Sequence, residues 1–353
     1  MVDVFTCDVD WEAALADELR RTLAAGQGIS PRIAVAGPGC VTLESVVGSA
    51  NDPLVAFASQ CLPQAEHCSA TSISAWADWA CRRISDKLDA FDGPWRLHVF
   101  ARPFPDGVDG RRRAQLVHSK LTERLREIRR RLLRRRNEQD QGPWLLTEAW
   151  AQVLLTSPSE GYVSVVDEAG RDAWRHVVSP FVAGEIEPAV DKQAPSRAFA
   201  KLVEAELRLG RRIAAGETCV DLGASPGSWT YTALARGARV TAIDRSPLRD
   251  DLMVDRGLTF VQGDAFAYEP ETPVDWLLSD IIAFPDRICE LLRIWLGKRL
   301  CRQFCVTVKF RGRDDDAALE NVKTVLRESG YDFGLRRLTA NKNEATAYGR
   351  AVS

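Results

Sequence analysis

The stretch that most constrains this chain runs from Cys219 to Asp244: C-V-D-L-G-A-S-P-G-S-W-T-Y, then A-R-V-T-A-I-D. Cys219–Leu222 is a short apolar run containing Asp221. Gly223, Pro226 and Gly227 break it, Ser228–Arg236 has the composition of a helix, and Arg239–Asp244 is a second apolar run ending in an acid. A strand, a glycine-rich turn, a helix and a strand make the opening unit of an α/β domain. Glycines in such a turn let a ligand approach the backbone, and the helix start offers free N–H groups. An acid about 20 residues past the turn is placed for the hydroxyls of a ribose.

The turn is neither G-x-G-x-x-G nor a P-loop, because no Gly-Lys-Ser/Thr follows it, and no Lys or Arg sits in it to hold a phosphate. A nucleoside ligand without phosphates, such as S-adenosylmethionine, fits these absences. The alternative is an ordinary strand-to-helix turn, since short glycine motifs recur by chance.

A chain of 353 residues is long enough for two or three domains. Its composition, 45% hydrophobic and 27% charged, is that of a soluble globular protein. The N-terminus has no basic region followed by an apolar one, so it does not read as a signal peptide, and no run reaches membrane-spanning length. There are nine cysteines and no C-x-x-C pair; Cys301 and Cys305 are four apart with no matching pair. Reduced thiols in a cytoplasmic protein without a metal site are expected. The net charge of −2 argues against general affinity for nucleic acid, but Arg111–Arg136 holds twelve Lys/Arg against two Glu.

Taken in order, Val2–Cys7 alternates like a strand and Trp11–Leu23 has helical spacing. Arg32–Val35 and Cys40–Leu43 suggest strands around A-G-P-G, Val55–Cys61 a short strand, and Ser74–Leu88 a helix. Residues 1–90 thus read as a small α+β, ferredoxin-like unit. In residues 91–178, Trp95–Ala101 is a strand, and Val117, Leu121, Leu125, Ile128 and Leu132 mark an amphipathic helix with a basic outer face. Trp144–Leu155 and Gly161–Asp167 are further strand candidates. Such a module suits RNA, with Arg129, Arg130 and Arg134 as contacts; a merely solvated face is the alternative. Residues 179–195 are proline-rich and read as a linker, with Ser196 a candidate N-cap for a helix over Ala198–Leu209. From residue 196 to 353, apolar runs alternate with helical stretches, the pattern of a doubly wound α/β sheet. Asp221, Asp244, Asp280 and Lys309 all fall at strand C-terminal ends, where such sheets carry their sites.

The motifs P-S-R-x-x-x-K-L, D-L-G-A-x-P-G-x-W-T, S-D-I-I, V-K-F and N-E-A-T resemble those of the bacterial ribosomal RNA large subunit methyltransferase M family. The resemblance is close after residue 195 and loose before it. It implies a Rossmann-like, S-adenosylmethionine-dependent methyltransferase domain preceded by a THUMP-like RNA-binding region. It also implies 2′-O-ribose methylation of a cytidine in 23S rRNA by a cytoplasmic, metal-free monomer. A Lys-Asp-Lys-Glu tetrad of the wider family maps onto Lys201, Asp280, Lys309 and Glu344. The cofactor positions map onto Ser196, Ser225, Pro226, Gly227, Ser228, Asp244, Asp264 and Asp280, with Asp244 on the ribose and Asp264 on the adenine amine. Where family members tend to read C-P-G-G-W, this chain has Ser225-Pro226-Gly227-Ser228-Trp229. The Ser228 hydroxyl adds a donor for the methionine carboxylate.

The residue chemistry agrees. A ribose 2′-hydroxyl needs a base to become a nucleophile, and a lysine serves only if burial and a neighbouring cation bring its pKa toward neutrality. Lys309 is the expected base, with Lys201 and Glu344 on the ribose side and Asp280 orienting. Without the resemblance, Lys309 reads as a snorkelling strand-end lysine, Lys201 as a helix-surface residue, Glu344 as a loop acid and Asp280 as a helix cap. Two rival functions follow. An amino-directed base methyltransferase would carry Asp/Asn-Pro-Pro-aromatic where this chain has Asp280-Ile281-Ile282-Ala283, and a pyrimidine-C5 enzyme would need a reactive cysteine, for which Cys289 and Cys305 look too core-like. A non-catalytic RNA-binding protein on the same fold would be expected to have lost a tetrad residue.

Overall fold

The computed structural model describes residues 1–24, 31–44, 53–138, 147–186, 190–310 and 316–352. The chain divides into two units, Met1–Glu185 and Ile186–Ser353. Among the described residues, each carries one seven-stranded sheet, and no helix is long and apolar enough to cross a membrane.

The first unit runs β1 (Val2–Thr6), α1 (Glu12–Ala24), β2 (Ile33–Gly37), β3 (Cys40–Glu44), β4 (Gln60–Ser69), α2 (Ile73–Leu88), β5 (Trp95–Ala101), α3 (Arg111–Ile128), α4 (Arg130–Arg134), β6 (Ala149–Leu155), β7 (Glu160–Val166) and α5 (Glu168–Asp172). Its sheet order is β2-β3-β1-β4-β7-β6-β5. The sequence reading divides this region at residue 90, yet β4 pairs with β1 on one side and with β7 on the other. Helix α2 starts where Ser72 accepts the Ala75 N–H at 3.1 Å. Its Trp76, Ala80, Ile84 and Leu88 pack with Val117, Leu121 and Leu125 of α3 in one apolar cluster. The basic helix is interrupted at Arg129, whose φ of −138° and ψ of 48° lie outside the helical region.

The strand expected over Val55–Cys61 forms only from Gln60 onward. Upstream of it the buried Glu18 carboxylate accepts the Ala56 and Phe57 N–H groups at 2.8 and 3.0 Å, in place of a neighbouring strand. Residues 144–146 of the next expected strand, and 187–189 of the expected linker, lie outside the described residues.

The second unit runs α6 (Phe199–Leu209), β8 (Thr218–Leu222), α7 (Ser228–Leu234), β9 (Arg239–Asp244), α8 (Asp250–Met253), β10 (Leu258–Gln262), β11 (Val274–Ser279), α9 (Pro285–Gly297), β12 (Cys301–Lys309), α10 (Asp316–Glu328), β13 (Tyr331–Arg336) and β14 (Glu344–Ala351). The order is β10-β9-β8-β11-β12-β14-β13. The first five are parallel, and β14 runs antiparallel between β12 and β13. Leu202 and Ala205 of α6 and Trp229 and Ala233 of α7 cover one sheet face, against Cys219, Val240, Trp276 and Leu278. Strand order reverses between β8 and β11, which opens a crevice at their carboxyl ends.

Candidate active site

At that crevice lies a cavity of about 840 Å³. Gly223 follows β8 with φ +74°, and a Cβ there would meet Ile281 at 2.7 Å, so only glycine lets the two loops close on each other. Asp244 ends β9. Its Oδ2 accepts the Ser225 N–H at 3.0 Å and its Oδ1 the Ser246 N–H at 2.8 Å. A carboxylate has about four acceptor positions, so both oxygens are fixed in direction and still have capacity for hydroxyls. Asp264 follows β10 and accepts the Phe266 N–H at 3.1 Å, with the Arg245 guanidinium 3.6 Å from its other oxygen.

Four polar side chains meet beside the cavity. Lys201 comes from the first turn of α6, Asp280 from the residue after β11, Lys309 from the last residue of β12 and Glu344 from the first residue of β14. The antiparallel register sets Lys309 directly opposite Glu344. The Lys201 ammonium donates to Asp280 Oδ1 at 2.7 Å and to Glu344 Oε1 at 2.8 Å. Lys309 Nζ donates to the Asp280 carbonyl at 2.9 Å and lies 3.5 Å from its carboxylate. Asn341 Nδ2 adds a bond to Glu344 Oε1 at 3.1 Å. Burial pushes the Glu344 carboxyl up, but the Lys201 hydrogen bond and charge, the Asn341 amide and the Lys309 charge outweigh it and hold the group below its ordinary value.

Lys309 and Asp280 line the cavity, whereas Lys201 and Glu344 sit behind them and are not among the lining residues. Ser196, Ser225, Pro226, Ser228, Asp244 and Asp264 line it too. Gly227 does not: with φ +106° it turns toward Leu252, which a Cβ would approach to 2.5 Å. Ser196 does not cap α6, whose N-cap is Ala198. Its hydroxyl instead accepts the Ala198 N–H at 3.2 Å and lies 2.7 Å from the Ser228 hydroxyl. Trp229 Nε1 donates to the Ala198 carbonyl at 2.7 Å, so α6, which carries Lys201, is fastened to the start of α7.

Among the lining residues not picked as ligands from the sequence are Asp221, Phe266 and Arg287. Asp221 is buried, and Thr230 Oγ1 donates to it at 2.7 Å. Burial pushes its carboxyl up to about 7, against the hydrogen bonding at Thr230 and with help from the charges of Asp280 and Asp244. Its place at a strand end was the available signal. Phe266 and Arg287 have none: one follows β10 and the other lies in the first turn of α9, with the guanidinium 4.0 Å above the ring. All nine cysteines are buried and free, and burial raises the Cys289 and Cys305 thiols, so neither is a ready nucleophile. Among the described residues, no group of three His, Cys, Asp or Glu could hold a metal ion.

In the first unit the basic helix is partly neutralised. Arg124 pairs with Asp78 at 2.8 Å and with Glu127 at 3.1 Å, Lys120 with Glu123 at 2.9 Å, and Arg129 with Asp89 at 3.4 Å. Arg126, Arg130, Arg131 and Arg134 are exposed and carry no ion pair among the described residues. Of the expected contacts, Arg130 and Arg134 are in this group, and Arg129 is exposed beside Asp89.

The doubly wound sheet and the polar groups at its carboxyl edge define an FtsJ-like, Rossmann-like methyltransferase fold, and residues 194–320 match the family of FtsJ-like methyltransferases. The chain resembles the ribosomal RNA large subunit methyltransferases M. It is 37% identical to that of Thauera aminoaromatica over 166 residues, covering 44% of this chain and 46% of the relative. It is 33% identical to that of Stutzerimonas stutzeri (strain A1501) over 231 residues, covering 62% of each. The chain thus spans from about half to three fifths of the length of these relatives. Among solved structures, the Methanococcus jannaschii fibrillarin pre-rRNA processing protein aligns with a TM-score of 0.34 and 20% identity, over 43% of this chain and 73% of its own.

Proposed function

We propose that this chain is an S-adenosylmethionine-dependent 2′-O-ribose methyltransferase acting on a cytidine of 23S rRNA. The observation that carries this is the meeting of Lys201, Asp280, Lys309 and Glu344 at the edge of the cavity. The cavity fits a nucleoside with an amino-acid tail. Asp244 is held ready for a diol, Asp264 offers an acceptor toward a base, and the Ser196–Ser228 hydroxyl pair lies at the turn where a carboxylate would sit. When bound, S-adenosylmethionine supplies a methyl group on a sulfonium, an electrophile that needs no metal.

The chain's own residues divide the remaining work. Lys201 spends its ammonium on two carboxylates and is buried. It fixes the positions of Asp280 and Glu344. Lys309 makes, among the described residues, a single hydrogen bond to a carbonyl, is 24% exposed at its side chain and lines the cavity. It is the lysine that reaches a substrate hydroxyl and, as the neutral amine, takes its proton. The Asp280 carbonyl and carboxylate then hold the resulting ammonium. Arg126, Arg130, Arg131 and Arg134 hold RNA phosphates, and the enzyme works in the cytoplasm as a monomer on rRNA, before subunit assembly.

Ribose-methylation mapping of 23S rRNA from cells with and without the gene tests this. One lost 2′-O-methyl group supports the assignment, and an unchanged ribose map with a missing base methylation would transfer it to the base-directed alternative.

A further inference from the structure

The loop that joins β11 to α9 supplies Asp280 and then runs Ile281-Ile282-Ala283-Phe284 along the cavity wall. It alternates. Ile281 turns inward onto Gly223, close enough that a Cβ there would meet it. The next residue, Ile282, is 87% exposed, and Phe284 is 60% exposed. Phe284 keeps an extended backbone, φ −65° and ψ 143°, before Pro285 starts the helix. Single exposed apolar residues are ordinary on a protein surface. Two on one short loop, both lining the same cavity as Lys309 and Asp280, are not scattered.

If Lys309 takes the proton of a 2′-hydroxyl, the position of the substrate's base is constrained. The base is attached to the ribose carbon adjacent to the one that bears that hydroxyl. With the hydroxyl at Lys309, the base must lie against whatever borders the cavity there. Within a duplex the base would be stacked and paired, so an enzyme must offer a surface to an extruded or single-stranded one. An aromatic ring and a branched aliphatic side chain are the residues that do so, because every base has an apolar face.

The cofactor's own adenine is the other candidate for these side chains. The loop after β10 offers it another place, beside the Asp264 carboxylate and the Phe266 ring, over which Arg287 lies at 4.0 Å. Ile282 and Phe284 face outward to a degree that suits a ligand arriving from solution.

We propose that Ile282 and Phe284 form a shelf on which the base of the target nucleotide lies, unstacked from its neighbours, while its ribose is at Lys309. The proposal rests on the ribose methyltransferase assignment above. It makes Phe284 a substrate-positioning residue, with no part in binding the cofactor.

Single-turnover methylation of unmodified large-subunit rRNA, with cofactor affinity measured separately by titration calorimetry, provides the test. Phe284→Ala and Ile282→Ser should each lower kcat/KM by roughly five- to a hundredfold, the range of one base–side-chain stack. Cofactor Kd should not change, and Phe284→Trp should restore most of the activity. A second arm uses the shortest RNA fragment that the wild type methylates, remade with an abasic ribose at the target. Removing the base should cost the wild type a factor similar to that of Phe284→Ala, and should cost the Phe284→Ala variant little more. If the wild type methylates the fragment and Phe284→Ala does so equally well, the shelf is refuted while the ribose assignment stands. If cofactor affinity falls in step with activity, these side chains belong to the adenine wall and the shelf is again refuted. If the wild type puts no methyl on ribose, the assignment beneath the proposal fails first.

Discussion

Lys201 is the residue on which the geometry of the site depends. It is buried, and its ammonium bridges Asp280 at 2.7 Å and Glu344 at 2.8 Å. Lys201→Met keeps most of the side-chain volume and removes only the charge. Two carboxylates then remain close together, with Lys309 at 3.5 Å as the remaining cation for Asp280 and the Asn341 amide at 3.1 Å as the remaining neighbour for Glu344. Removing one partner of a buried ion pair costs about 3–5 kcal/mol, because the charge left behind is not compensated. The same loss on an exposed pair would cost under about 1 kcal/mol, so burial decides the size.

The effect has a pH signature. In the wild type Glu344 is held below its ordinary value of 4.5, so its contribution is complete above that pH and is lost as pH falls through the lower, folded value. In the Lys201→Met chain the largest influence, burial, loses its main opponent and pushes the carboxyl up. The folded variant then resists an ionisation that the unfolded chain undergoes freely. Its deficit relative to the wild type should grow as pH rises through the carboxylate range and shrink on acidification. Guanidinium unfolding at pH 8 and pH 4.5, followed by hydrogen–deuterium exchange in β12 and β14, reads this unit without interference from the first. Adding Glu344→Gln should recover part of the loss, since it removes one of the stranded charges. A deficit independent of pH and unrelieved by the second change would refute the electrostatic account and leave Lys201 as a packing residue.

Three further outcomes are expected. Asp244→Ala removes both acceptor oxygens from the cavity wall at about 1.5–3 kcal/mol per charged hydrogen bond, so cofactor affinity measured by calorimetry should fall at least tenfold while the fold survives. Lys309→Ala should bind cofactor and RNA nearly normally yet lose methyl transfer by roughly two to four orders of magnitude in single-turnover assays, and Lys309→Arg should be almost as inactive because a guanidinium stays charged. Charge reversal at Arg126, Arg130 and Arg134 should weaken RNA binding and flatten its salt dependence by about 0.7–0.9 per lost phosphate contact, whereas reversal at the paired Arg124 should change the slope less; equal effects would mean that the ion pairs do not matter.

What the sequence disclosed and what it hid follow from the range of the interactions concerned. A doubly wound sheet delivers polar residues to its carboxyl edge whenever they end a strand, so the strand-end positions of Asp221, Asp244, Asp280 and Lys309 were legible from local pattern alone. Lys201 and Glu344 were not legible this way and came only through family likeness. Lys201 lies in the first turn of α6 and Glu344 begins an antiparallel strand; the pairing of β12 with β14 sets Glu344 opposite Lys309, and a hydrogen bond between segments 143 residues apart joins it to Lys201. The same limit explains the corrections. Val55–Ser59 is apolar like a strand, but a carboxylate from α1 takes its N–H groups. The basic segment counts as strongly positive along the chain, but Asp78 and Asp89 reach it from α2 and its flank. A local count of charge overstates the field of a helix wherever a neighbouring helix supplies acids, because the surface potential sums over space and not over sequence. The exposed arginines that remain after that spatial neutralisation are therefore better candidates for nucleic-acid contacts than those at the centre of the densest run.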